Sequence, residues 1–223
     1  MRRRGFMIAS MSAPFVARAA TTQPVVLELF TSQGCSSCPP ADALLGEMTR
    51  RPGVIGLAWH VDYWNSLGWR DPYARPEWTT RQRDYARYLD GEVYTPALVV
   101  NGATLMVGSD RAAVDQAINR AAPPAVAVSL RRSATGLTAE IGATGVSVTG
   151  RLISYDPSQV TRIGAGENGG RQLTEYRVVR DAVVLTTLAS RMELPPVAAG
   201  RGAVLLLQDA SWRVVGAAEI APG

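Results

Sequence analysis

The chain has 223 residues, a formal net charge of +4 and one histidine; all 23 of its basic residues are arginine, which excludes lysine-based chemistry. Its length suits one large or two small domains, and beyond the N-terminus no apolar run reaches the roughly 18 residues a membrane span needs. Residues 1–19 hold four arginines and no acid, so the rest of the chain is close to neutral. The high overall pI, about 9.4, therefore gives no support to a nucleic-acid partner.

Arg2, Arg3 and Arg4 form a positive leader, Gly5 to Val16 is short and moderately apolar, and Ala17-Arg18-Ala19 offers small residues for cleavage. This pattern predicts an export signal over residues 1–19, removed after Ala19. The paired arginines followed by Gly5, Phe6 and Met7 are similar to a twin-arginine export signal, with a general secretory signal as the alternative. The expected location is the periplasm or the medium of a bacterium. That is an oxidising compartment, yet the chain has two cysteines in all. Neither is spare for a structural staple elsewhere.

The apolar run Val25 to Phe30 predicts a buried strand, followed by the loop Thr31-Ser32-Gln33-Gly34 and then Cys35-Ser36-Ser37-Cys38-Pro39. Ala41, Leu44, Leu45 and Met48 recur at helical spacing, and Arg50-Arg51-Pro52-Gly53 is a helix stop. A C-x-x-C between a strand and a helix is the pattern of a dithiol redox site. One helical turn brings both sulfurs to the helix start, where the dipole and free N–H groups favour a thiolate. Cys35, nearer the loop, is the expected attacking thiolate and Cys38 the resolving thiol. Half of a structural zinc site is the competing reading, but two cysteines and one histidine leave a four-ligand shell incomplete.

Val54 to Trp59 predicts a second buried strand that delivers His60, Val61 and Asp62 to its C-terminal end, the rim where functional groups gather in open α/β sheets. His60 is the candidate to stabilise the Cys35 thiolate or move its proton, with a packed, hydrogen-bonded histidine as the alternative. Glu28 and Asp62 are candidate carboxylates for tuning the thiols. Residues 63–92 read as an aromatic and helical insertion, with a helix from Pro76 to Leu89; Trp64 and Trp69 belong either to a packed lid or to a substrate surface. Pro96 opens an apolar strand, Asn101-Gly102 signals a hairpin turn, and Ala103 to Val107 pairs back. Ser109 is the expected N-cap of a helix from about Asp110 to Ala121.

Pro123-Pro124 marks a linker, after which short β-rich runs alternate with turns: 126–130, 137–141, 146–155, 173–179, 183–188, 204–207 and 212–217. They predict a small antiparallel sandwich. Gly164-Ala165-Gly166-Glu167-Asn168-Gly169-Gly170-Arg171 reads as a tight turn between strands rather than a binding loop, and it lacks the lysine and spacing of a phosphate loop.

A strand, a C-x-x-C at a helix start, a second strand, Thr95-Pro96 before a hairpin and a closing helix together resemble the thioredoxin fold. The resemblance implies that Pro96 is cis beside the disulfide and that the Thr95 backbone meets a bound thiol substrate. More narrowly, the stretches Glu28 to Asp42, His60 to Asp71 with Arg81-Gln82-Arg83, and Gly166 to Arg171 resemble a family of secreted thioredoxin-like bacterial proteins of unknown function (domain of unknown function 1223). Departures from ordinary thioredoxins are the Ser36-Ser37 dipeptide and Gly34, where a tryptophan usually stands.

The resulting expectation is an α/β thioredoxin-like domain over residues 20–122, with the insertion at 63–92, followed by a C-terminal all-β, sandwich-like domain over 125–223. The expected function is an exported thiol–disulfide oxidoreductase. Cys35, Cys38, Pro96 and His60 form its catalytic set and Thr95, Trp64 and Trp69 its substrate surface. It needs no cofactor beyond the redox-active Cys35–Cys38 pair. Its partners are exported thiol or disulfide proteins and an unidentified recycling partner. Two alternatives stay open: copper(I) binding or delivery by Cys35, Cys38 and His60, and a non-catalytic interaction module with a structural disulfide.

Overall fold

The computed structural model describes residues 24–223; the expected export signal and its cleavage after Ala19 lie outside the described residues. The elements in order are β1 (Val25–Thr31), α1 (Pro39–Met48), β2 (Val54–His60), α2 (Pro76–Tyr88), β3 (Ala97–Val100), β4 (Thr104–Val107) and α3 (Arg111–Arg120). They continue as β5 (Val128–Arg132), β6 (Leu137–Ile141), β7 (Val148–Arg162), β8 (Gln172–Leu185), β9 (Arg191–Leu194), β10 (Gly202–Asp209) and β11 (Val214–Ile220). Eight strands form one sheet in the order β11-β10-β7-β8-β2-β1-β3-β4, and β5-β6-β9 form a second, smaller sheet.

The near-continuous apolar character of β1 and β2 follows from burial on both faces. Leu27, Leu29 and Ala58 pack with Ala41, Leu44, Leu45 and Met48 of α1 on one face. Val26, Phe30, Leu57 and Trp59 pack with Trp78 and Tyr85 of α2 on the other. β1 and β2 run parallel, with Thr31 opposite His60, while β3 returns antiparallel along the other side of β1. This register brings the C-terminal ends of β1 and β2 to the same rim as the N-terminus of α1.

The β3–β4 hairpin turns through Asn101 (φ 47°) and Gly102 (φ 63°), the paired positive values that tight hairpins take. A Cβ on Gly102 would also lie 2.1 Å from the Trp212 carbonyl oxygen, so only glycine fits. The cap of α3 differs from expectation: Asp110, not Ser109, takes the N-cap, its carboxylate accepting the Ala113 N–H at 3.0 Å. The carboxylate of the second residue reaches the third helical N–H, and the helix starts one residue later.

Beyond Pro124 the strands pair antiparallel with one another. Two are longer than the sequence pattern indicates: 146–155 extends to Arg162 in β7, and the two runs 173–179 and 183–188 merge into β8. A register shift at Ser154/Tyr155 lets these strands pass the bend as one ribbon. β9 has no counterpart among the expected strands, although Arg191-Met192-Glu193-Leu194 alternates polar and apolar residues, with Leu194 buried. β10 buries both faces, Val204 and Leu206 against the aromatic core of β1 and β2, and Ala203, Leu205 and Leu207 against the small sheet. β8 lies beside β2, with Val178 paired parallel to Ala58. The second half of the chain is thereby attached at the rim that carries the cysteines.

Candidate functional site

Cys35 and Cys38 are joined by a disulfide at the start of α1, and both are fully buried (0% exposed), while Ser36 and Ser37 between them are exposed. Cys38 is the N-cap, and Pro39 and Pro40 occupy the first turn, where a missing N–H costs little. The Ser37 hydroxyl lies 3.3 Å from Cys35 Sγ, and with the sulfur oxidised it is the donor. The Thr95-Pro96 peptide bond is cis, immediately before β3. Trp64 packs over the loop that leads to Cys35: a Cβ on Gly34 would sit 3.0 Å from Trp64 Cβ, which accounts for glycine at that position. The Trp64 indole N–H donates to the Thr95 hydroxyl at 2.8 Å, and that of Trp69 donates to Gln33 Oε1 at 2.9 Å. Both tryptophans are thus part of the wall around the disulfide loop.

Beneath this loop lies a buried polar cluster that the sequence reading recognised only through His60. His60 Nδ1 donates to Asp71 Oδ2 at 2.7 Å, and the same carboxylate accepts the Gln33 and Tyr73 amides, each at 2.9 Å. Gln33 Nε2 donates to Glu175 Oε2 at 2.9 Å, and the Thr31 hydroxyl donates to Asp42 Oδ2 at 3.1 Å. Asp42 Oδ1 and His60 Nε2 are buried with no hydrogen-bond partner. Asp42 stands one helical turn after Cys38, on the same helix face, because residues four apart stack along a helix.

The electrostatics follow from this packing. Burial pushes the Asp42 carboxyl up to about 7, with the His60 charge opposing the shift. Burial alone would lower His60, but the Asp71 carboxylate outweighs it and raises the imidazole to about 9. Burial pulls Asp71 upward, yet the His60 charge and the hydrogen bonds it accepts hold it below the usual carboxylate range. Burial also raises Glu175. The site therefore keeps a charged His60–Asp71 pair next to two carboxyls that resist ionisation.

The glycine-rich segment does turn between β7 and β8, but it also reaches across to the disulfide. The fully buried Asn168 donates to the carbonyl oxygens of Gln33 and Cys35 at 3.0 and 2.9 Å, and the exposed Glu167 accepts the Ser36 N–H at 3.0 Å. Glycine is required here: Gly166 has φ 73° and lies against Trp69. The two tuning candidates from the first strands point elsewhere. Glu28 pairs with Arg81 at 2.7 Å and accepts the Tyr85 hydroxyl on the α2 face of the sheet. Asp62 accepts the Thr79 hydroxyl at 2.6 Å, at the start of α2.

Gln33, Asp42, Asp71, Glu167 and Asn168 lie in stretches that the sequence marks out, but neither they nor Glu175 are expected site residues. Two left a signal: Asp42 interrupts the apolar face of α1, and Glu175 stands at an inward position of β8, where Leu173 and Glu175 are buried and Gln172 and Thr174 exposed. Among the described residues, no group of three or more histidine, cysteine, aspartate or glutamate side chains is disposed to hold a metal ion. No helix among them is long and apolar enough to cross a membrane.

A crystal structure of a protein from Agrobacterium tumefaciens is similar at 32% identity and a TM-score of 0.76, covering 89% of this chain and 94% of that one. The protein HBP35 of Porphyromonas gingivalis is similar at 14% identity and a TM-score of 0.60, covering 90% of this chain and 76% of that one, a likeness of fold alone. No curated protein matches. The model of one family matches residues 26–208, most of the chain, and the protein belongs to that family, described as a protein of unknown function (DUF1223).

Proposed function

We propose that the protein is an exported thiol–disulfide oxidoreductase of thioredoxin-like type. The observation that carries this reading is the Cys35–Cys38 disulfide at the first turn of α1, tied through Gln33 and Asp42 to the buried cluster that contains His60, Asp71 and Glu175. Shifted titrating groups gathered beside a reactive pair mark functional sites more often than structural staples. The strand order β2-β1-β3-β4, with α1 against one face and Pro96 ahead of β3, supports the thioredoxin-like description. The arginine-led N-terminal sequence supports export.

In the reductive direction the Cys35 thiolate attacks a substrate disulfide. A Cys35–substrate bond forms, and one substrate sulfur leaves with the electron pair. Cys38 then loses its proton and attacks Cys35 Sγ, closing the internal disulfide and releasing the second substrate sulfur. The protein dithiol is oxidised and the substrate disulfide reduced, two electrons in all; the reverse sequence oxidises a substrate dithiol. The Ser37 hydroxyl, 3.3 Å from Cys35 Sγ, is placed to donate to the thiolate. His60 Nδ1 is committed to Asp71, which leaves Nε2, buried and without a hydrogen-bond partner, as the ring nitrogen able to exchange a proton with the pair.

The test is a redox titration of metal-free protein without residues 1–19 in glutathione and dithiothreitol buffers, read by thiol alkylation and mass. A reversible two-electron couple between about −120 and −270 mV is expected. A couple below about −300 mV, the range of structural disulfides, overturns the reading. In a Cys38→Ser variant, a stable mixed disulfide at Cys35 with a substrate thiol is expected.

A further inference from the structure

The β7–β8 loop places a negative charge on the amide of Ser36, the residue after Cys35. A thiolate at a helix start draws its stability from the nearby free N–H groups and the positive end of the helix dipole. Ser36 follows Cys35 directly, and its N–H is taken by Glu167 Oε2 at 3.0 Å. The Ser36 hydroxyl, and after it this N–H, hold the Glu167 carboxyl below its ordinary range, so it is ionised at neutral pH.

The placement is built rather than incidental. Asn168, the next residue, is fully buried and clamps the loop to the Gln33 and Cys35 carbonyls, and its own Oδ1 accepts from Arg171 at 2.7 Å. Trp69 backs the loop through Gly164 and Gly166, where an added Cβ would come within 3.1 and 3.2 Å of it. Glu167 is thus delivered to Ser36 by a fixed turn from the far half of the chain.

We propose that Glu167 is a positioning residue that tunes the redox pair: its carboxylate, seated on the Ser36 amide, disfavours the Cys35 thiolate and holds the pair toward the disulfide. This rests on the oxidoreductase reading of the same site. Reduction by glutathione adds two electrons and two protons to the Cys35–Cys38 bond, giving two thiols, while two glutathione thiols become one glutathione disulfide. Cys35 then ionises, and Glu167 opposes that ionisation twice, by occupying a donor and by its charge. The other charged groups around the pair are Asp42 from α1, His60 from β2, Asp71 from the segment after β2, Glu175 from β8 and Arg171 from the loop itself. Of these, Asp42, His60, Asp71 and Glu175 are buried. Glu167 is exposed, so replacing it leaves no buried group without a partner.

The experiment compares wild type with Glu167→Gln, which keeps an acceptor for Ser36 and removes the charge, and with Glu167→Asp, which keeps the charge. Two quantities are measured: the Cys35 ionisation midpoint of the dithiothreitol-reduced protein, by thiolate ultraviolet absorbance, and the glutathione equilibrium constant. In the Gln variant the midpoint is expected to fall and the equilibrium to move roughly threefold to tenfold toward the dithiol, the scale of one partly screened charge at close range. The Asp variant is expected to stay nearer wild type. A Gln variant with unchanged or raised midpoint and unchanged equilibrium overturns the proposal. If glutathione fails to reduce even the wild type, the oxidoreductase reading falls, while the absorbance midpoint still decides the role of Glu167.

Discussion

Two buried charged clusters sit on opposite faces of the same strands, and they are built differently. On the α2 face, Glu28 receives two hydrogen bonds from Arg81, at 2.7 and 2.9 Å, and a third from the Tyr85 hydroxyl, while Gln208 accepts from the same guanidinium at 2.9 Å. The Arg81 guanidinium also lies over the rings of Trp59, Tyr85 and Trp212. The one acid is held by the one fully buried base, although Arg81 Nη1 is left without a hydrogen-bond partner and Arg151 donates to the same Gln208 oxygen at 3.0 Å. On the α1 face, three carboxyls, Asp42, Asp71 and Glu175, face the single His60, and Asp42 Oδ1 and His60 Nε2 are left unbonded. The first arrangement locks α2 to the sheet. The second is under-compensated, so its protons are the ones that move near neutral pH, and it lies beneath the disulfide.

The largest effect that would break this contrast is on the α2 face. Glu28→Gln leaves the buried Arg81 without its counter-charge, and a loss of about 4 kcal/mol is expected in urea denaturation, in line with broken buried pairs. The glutathione equilibrium of Cys35–Cys38 is expected to stay at its wild-type value. A redox shift in this variant would mean that the two faces are coupled.

Asp71→Asn tests the other cluster. It removes the carboxylate that holds the His60 proton, and His60 can shed its charge rather than keep it unpaired, so a smaller loss of about 3 kcal/mol is expected. His60, the one histidine of the chain, then titrates below its ordinary value instead of at about 9, because burial is left to dominate. Proton NMR of the imidazole reads this directly.

Asp42→Asn changes stability least on the acid side, where the carboxyl is protonated in both states, and it sharpens the pH dependence. Wild-type Asp42 rises from 3.8 to about 7 on folding. Above pH 4 the unfolded chain releases this proton while the folded chain keeps it. Its contribution is therefore lost as the pH rises from about 4 through 7. The His60 contribution is full below 6.5 and lost as the pH rises through 9, so both groups make the protein more stable on the acid side. Asp42→Asn is expected to remove the lower part of that slope, on the order of 4 kcal/mol across the window. Denaturation midpoints at several pH values check it, and an unchanged profile would show that Asp42 does not titrate in this window.

Local sequence carried much of the first half of the molecule. The runs Val25 to Phe30 and Val54 to Trp59 are too apolar and too short for anything but buried strands, and the periodicity after Pro39 and Pro76 is helical in both places. Each of these signals depends on neighbours within about four residues, which is the range over which backbone hydrogen bonding and side-chain alternation act. The same range explains the misses: Asp110 over Ser109 as a cap was decided by one residue of reach, and the short alternation of β9 becomes a strand only by pairing with β6.

The site divides along the same line. Cys35, Cys38 and the strand-to-helix setting of their motif were legible in the sequence, because the chemistry of two sulfurs one helical turn apart is itself local. So was His60, as a polar residue at the end of an apolar strand. Only tertiary structure decided that Asp71 would hold His60, that Glu175 would enter from β8, and that Glu167 and Asn168 would close over Cys35 from a turn more than a hundred residues away. In one dimension Gly164 to Arg171 has the composition of any glycine-rich turn. Its role comes from the pairing of β8 with β2, which no local pattern encodes, because burial and hydrogen bonding between distant segments are settled by the whole sheet at once.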